Sequence, residues 1–108
     1  MTQEINMDTI DFLELKDQIE LQLKNDFKFE LLEIQYAPYA FGNGMIAYRI
    51  KGRVVKIIYN GRDNQIELMV SAHHVKYDRA ELTTVFWCLP TDFISIGIEE
   101  LKKSLTNK

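Results

Sequence analysis

Residues Met45–Ala72, MIAYRIKGRVVKIIYNGRDNQIELMVSA, carry the clearest periodicity of the chain. They divide into three runs of alternating apolar and polar residues, separated by Lys51-Gly52 and by Asn60-Gly61-Arg62-Asp63-Asn64. Successive side chains of a strand point to opposite faces, so parity assigns Ile46, Tyr48 and Ile50 to one face of the first run. In the second run Val55, Ile57 and Tyr59 share a face, while Val54 and Ile58 lie opposite with Lys56, which marks a central strand apolar on both sides. In the third, Ile66, Leu68, Val70 and Ala72 alternate with Glu67, Met69, Ser71 and His73, the pattern of a half-buried strand. The three runs therefore predict an antiparallel meander, in which Gly52 closes a tight hairpin, the favoured reading, or marks a bulge inside one longer strand, two cases that alternation alone does not separate.

Towards the N-terminus, Phe27 to Tyr36 predicts a further strand whose parity changes midway. Phe27, Phe29 and Leu31 share one face, and Leu32, Ile34 and Tyr36 the other, so a bulge near Leu31-Leu32-Glu33 is expected. Pro38 ends this strand, and Gly42-Asn43-Gly44 supplies a turn into the meander. Tyr36, Tyr39 and Phe41 make the intervening loop aromatic, suited either to covering the core or to anchoring a partner. Before it, Phe12, Leu15, Ile19 and Leu23 recur at helical spacing and predict an amphipathic helix from Met7 to Lys24. Asp8 is the expected cap, Met7 and Phe12 the expected hydrophobic staple, and Asn25 the stop. Leu13 and Leu21 widen its apolar surface, against the sheet or against a second molecule.

Towards the C-terminus the pattern weakens from His73 to Arg79, with a helical turn as one reading near Ala80 and Glu81. It resumes where Leu82, Thr84, Phe86 and Cys88 alternate with Thr83, Val85 and Trp87, a fifth strand ended by Pro90-Thr91-Asp92. Ile94, Ile98, Leu101 and Leu105 then predict a short closing helix, in which Gly97 costs up to about 1 kcal/mol relative to alanine. The expected fold is a single α+β domain over residues 1–108. It has an antiparallel five-stranded meander sheet with the N-terminal and C-terminal helices on one face, in the order α-β-β-β-β-β-α.

Composition bounds the function without choosing it. A chain of 108 residues, 46% hydrophobic and 27% charged, suits one ordinary globular core. The net charge of −3 argues against a phosphate-binding face, although Arg49, Lys51, Arg53 and Lys56 cluster around Gly52 with Tyr48 and Tyr59 nearby. The single cysteine, Cys88, forbids an internal disulfide and reads as a small buried hydrophobe. MTQEINMDTIDF carries acids where a secretory signal carries bases, and no run reaches the length of a bilayer span. Cytoplasmic residence without a membrane is the expectation.

Chemistry-bearing spacings are likewise missing. On a strand the adjacent His73 and His74 would point to opposite faces and could share an ion only if the strand had already ended, and neither H-E-x-x-H nor C-x-x-C occurs, so no metal site is expected. Cys88 sits between Trp87 and Leu89, a poor setting for a thiolate nucleophile. Gly42-Asn43-Gly44 precedes a strand and is followed by no Walker lysine, so no nucleotide or other cofactor is expected.

These residues point to a small non-catalytic interaction protein that binds or masks a protein partner, in the manner of an immunity-type or chaperone-like protein, with a homodimer also open. The alternative is a small-ligand-binding or enzyme domain with a pocket between sheet and helices. The partner-binding residues expected are Tyr39 and Phe41 as anchors, with Arg62 and Asp63 orienting the partner, because tyrosine and arginine are enriched in interface hot spots and loops between strands are exposed. No catalytic or metal-binding residue is assigned. Counting strand directions places the Gly42 turn and the Asn60 turn at the same end of the sheet.

Overall fold

A computed structural model describes residues 12–37, 39–40 and 42–106. The elements run α1 (Phe12–Leu23), β1 (Phe29–Ala37), β2 (Asn43–Ile50), β3 (Arg53–Asn60), β4 (Gln65–His73), a 3₁₀ turn (Tyr77–Arg79), β5 (Thr83–Cys88), α2 (Pro90–Asp92), a π turn (Phe93–Gly97) and α3 (Ile98–Thr106). The strands form one five-stranded sheet in chain order, each antiparallel to its neighbour. The expected cap at Asp8 and the staple from Met7 lie outside the described residues.

Side-chain parity accounts for the register. Ile46 pairs with Ile57, Tyr48 with Val55, Ile57 with Leu68 and Tyr59 with Ile66, so the apolar residues of the meander gather on one face. On β1 the register shifts between Leu31 and Glu33, leaving Leu32 as the extra residue, which returns Ile34 and Tyr36 to the face already held by Phe29 and Leu31. Lys51 and Gly52 both have positive φ, 53° and 79°, the conformation of a tight two-residue hairpin. Two further register shifts follow: one between Arg53 and Val55, after which Ser71 is buried and Ala72 exposed against the alternation expected of β4, and one between Leu68 and Met69, which interrupts β5 at Val85.

The helices cover this apolar face. Phe12, Leu15, Ile19 and Leu23 of α1 and Ile98, Leu101 and Leu105 of α3 are buried in one cluster with the inward residues of β2, β3 and β4. Phe12 stacks on Tyr36 at 5.4 Å and on Tyr59 at 6.4 Å, fixing the start of α1 over the end of the sheet that carries the Gly42 and Asn60 turns. Its ring lies so close to Gly44 that a Cβ there would fall 2.6 Å from it. Tyr48 donates a hydrogen bond to the Glu20 carboxylate at 2.9 Å, satisfying a hydroxyl on a fully buried ring. Burial, followed by that carboxylate, pushes the Tyr48 phenol above its ordinary range.

The closing helical stretch starts earlier than its apolar spacing suggests. Pro90 ends β5 and also stands at the first helical position, where its fixed φ and missing N–H cost nothing. Arg53 donates to the Ser104 carbonyl near the end of α3 at 2.9 Å, placing a cation on the negative end of the helix dipole.

The connection from β4 to β5 crosses the outer face of the sheet. His74 N–H bonds the Gly52 carbonyl at 2.7 Å, Arg49 Nη1 donates to the Val75 carbonyl at 2.7 Å, and the Tyr77 hydroxyl donates to the Glu33 carboxylate on β1. This strap runs from the β2–β3 turn to the far edge strand. Ala47 and Val54, whose side chains point outward, are fully buried, as expected of apolar residues beneath such a cover.

Candidate functional site

Two turns meet at the end of the sheet opposite the strap's anchor at Gly52. Ala37 pairs with Asn43, Gly44 with Tyr59 and Asn60 with Gln65, so the β1–β2 and β3–β4 connections emerge side by side. They are also bonded to each other: the Gly61 N–H donates to Asn43 Oδ1 at 2.7 Å. The shared edge inferred from strand direction is therefore present.

Asparagine shapes this end. Asn60 Oδ1 accepts from the backbone N–H groups of Arg62 and Asp63 at 3.1 and 3.3 Å, and its Nδ2 donates to Asp63 Oδ2 at 3.0 Å. Such a side chain mimics a turn of backbone and fixes the loop's direction. Asn64 completes the turn at φ 52°. Asn43 and Asn60 thus position the two turns, and the sequence signal for them is asparagine beside glycine, in Asn43-Gly44 and Asn60-Gly61.

Of the expected binding residues, Tyr39 is fully solvent-exposed at 101% relative accessibility, and Arg62 and Asp63 are exposed on the neighbouring turn. Phe41 lies outside the described residues. Tyr39 does not cover the core, which resolves one of the two roles its aromatic character allowed. Beside the turns lies a cleft of about 400 Å³, lined among the described residues by Gln35, Tyr36, Asn43, Met45, Ile58 and Tyr59, with Ala37, Gly44 and Asn60. All of these belong to β1, β2 and β3, and none to a helix.

The other candidates are dispersed. Arg49 and Arg53 fall on opposite faces, because Arg53 pairs with inward-facing Ile50 and Arg49 with outward-facing Val54. Each donates to a backbone carbonyl, and Lys51 lies 5.9 Å from the Phe27 ring centroid. The basic cluster in the sequence is thus not one surface. Burial, then the Asp92 carboxylate, pushes the Cys88 thiol up to about 11, which leaves little thiolate near neutrality. Among the described residues no group of three His, Cys, Asp or Glu side chains is arranged to hold a metal ion, and no helix is long and apolar enough to cross a membrane.

Comparison of the chain with protein-family models, curated proteins and solved structures found no match.

Proposed function

We propose that this chain is a small non-catalytic interaction protein, one that binds or masks a protein partner through the paired turns at the end of its sheet. The observation that carries the reading is the Asn43–Gly61 hydrogen bond, which ties together the turn on which Tyr39 is exposed and the turn on which Arg62 and Asp63 are exposed. An exposed tyrosine on one turn and an exposed arginine and acid on the turn bonded to it supply an aromatic contact and a polar rim, the residue types enriched at interfaces. Turns held by side-chain hydrogen bonds lose less freedom when a partner docks.

The test replaces Tyr39 and Phe41 together by alanine, and separately Arg62 by alanine. The parent and the variants are then compared for melting temperature and for proteins captured from a native lysate. Reduced capture with an unchanged melt supports the reading; unchanged capture by both variants removes these turns from the binding surface.

A second reading, a small-ligand domain, draws on the neighbouring cleft, whose volume falls in the range of ligand pockets. Its position against three strands differs from the pocket between sheet and helices that the sequence suggested. A ligand there would raise the melting temperature of the parent and not of Ile58→Arg, which narrows the cleft. No shift from any member of a metabolite panel would leave that reading without support.

A further inference from the structure

We infer that a second copy of this chain pairs along β5, joining two five-stranded sheets into one continuous sheet through a two-fold axis. The inference concerns a different surface from the paired turns and does not depend on them.

Among the described residues no strand lies beyond β5, so one row of its backbone N–H and C=O groups faces outward. Natural edge strands are usually guarded by charge, proline or a bulge against pairing with another chain. β1, the opposite edge, is guarded in this way, carrying Glu30 and Glu33 and the bulge at Leu32. β5 is guarded only at Val85, and the stretch Leu82–Leu89, LTTVFWCL, contains no charged residue. It is rich in β-branched and aromatic side chains, the composition that favours strand pairing.

The side chains around this edge are apolar and uncovered. Val85 is 41% exposed, Trp87 54% and Leu89 53%, and Ile96 of the adjoining π turn 48%. Trp87 is the only tryptophan in the chain, of the type most enriched at the energetic centre of interfaces.

Charge selects the occupant. An antiparallel two-fold contact sets a strand against itself, so any charge it carries near the axis meets its own kind. Pairing of β1 with its copy would bring Glu30 and Glu33 towards the same carboxylates, whereas β5 has none to repel. An axis near Val85 and Phe86 also sets the Thr83-Thr84 half of one strand against the Trp87-Cys88 half of the other. Each tryptophan then gains cover from threonine methyl groups; the adjoining acid, Glu67, belongs to β4 and is already engaged as acceptor of the Thr84 hydroxyl.

The experiment is sedimentation of the purified chain at about 100 μM, well above a micromolar dissociation constant, with Trp87 emission followed on dilution. The expected result is a mass of twice 12.7 kDa and a red shift of emission as the dimer dissociates. Trp87→Arg, which faces Glu67 across the β4–β5 ladder, and Val85→Lys should each sediment as monomers with melts close to the parent measured at low concentration. Leu21→Lys, on the exposed side of α1, should remain dimeric. A parent of 12.7 kDa at this concentration overturns the inference, as does a dimer that both β5 variants preserve. Uptake of an extended synthetic peptide by a monomeric parent would assign the edge to another partner and also overturn it.

Discussion

Gly97 shows how a single residue reverses an expectation drawn from propensity. In a helix glycine costs about 1 kcal/mol relative to alanine, so Gly97→Ala should stabilise the closing stretch if local preference governed. The fully buried Phe93 ring, however, lies across this position, and an added Cβ would fall 2.3 Å from its Cδ1. The π turn from Phe93 to Gly97 fits the ring over a residue without a side chain. Gly97→Ala should therefore destabilise by about 1–3 kcal/mol through overpacking, lowering the melting temperature by several degrees. An increase would contradict this packing. Ile57 makes the complementary case, being fully buried at the centre of β3 between Ile46 and Leu68. Ile57→Asp places an unpaired charge there, at a cost of several kcal/mol, and should abolish the cooperative melt; a transition within a few degrees of the parent would refute its central place.

Among the elements, the strap between β4 and β5 was the least legible beforehand. Its residues, His73 to Arg79, show neither strand nor helix periodicity, and its route depends on remote partners, Gly52, Arg49 and Glu33. The bulge in β1, by contrast, could be read from parity alone, because only one extra residue reconciles Leu31 with Ile34. The strap's far anchor has a definite pH signature. The Tyr77 hydroxyl and then the Gln35 amide, both donating to it, hold the Glu33 carboxyl below its usual range. Burial and then Glu33 push the Tyr77 phenol up to about 12. For Glu33 the folded value is the lower one, so its contribution to stability is present above the unfolded pKa of about 4.3 and lost as pH falls through the folded value. For Tyr77 the folded value is the higher one, so its contribution is present below about pH 10 and lost as pH rises towards the folded value. The anchor is thus intact across the neutral range. Tyr77→Phe should return the Glu33 midpoint, followed by NMR titration of its side chain, towards the ordinary carboxylate value. It should also speed amide exchange in the strap without unfolding the sheet. An unmoved midpoint would show that the Tyr77 contact does not form in solution.

At the scale of the whole molecule, the order of elements and the common end of the two turns were legible because alternation, glycine and asparagine are local signals. The start of the closing helix was not, since Pro90 serves as both strand end and helix start, and one apolar residue per turn becomes regular only after Ile94. Nor was the scattering of the basic cluster, because Arg49 and Arg53 are close in sequence yet separated by the sheet itself. The candidate surface was legible as residue types, Tyr39, Arg62 and Asp63, while the asparagines that hold it were not, because their roles exist only once two hairpins stand side by side. We propose that these turns bind a protein partner. A photo-crosslinking phenylalanine analogue placed at Tyr39, and as a control at exposed Leu21 on α1, tests it most directly in a native lysate. A discrete covalent adduct is expected from position 39, weakened by Arg62→Ala and absent from position 21. Adducts of equal yield from both positions, or none from position 39 while the parent still captures a partner, would contradict it.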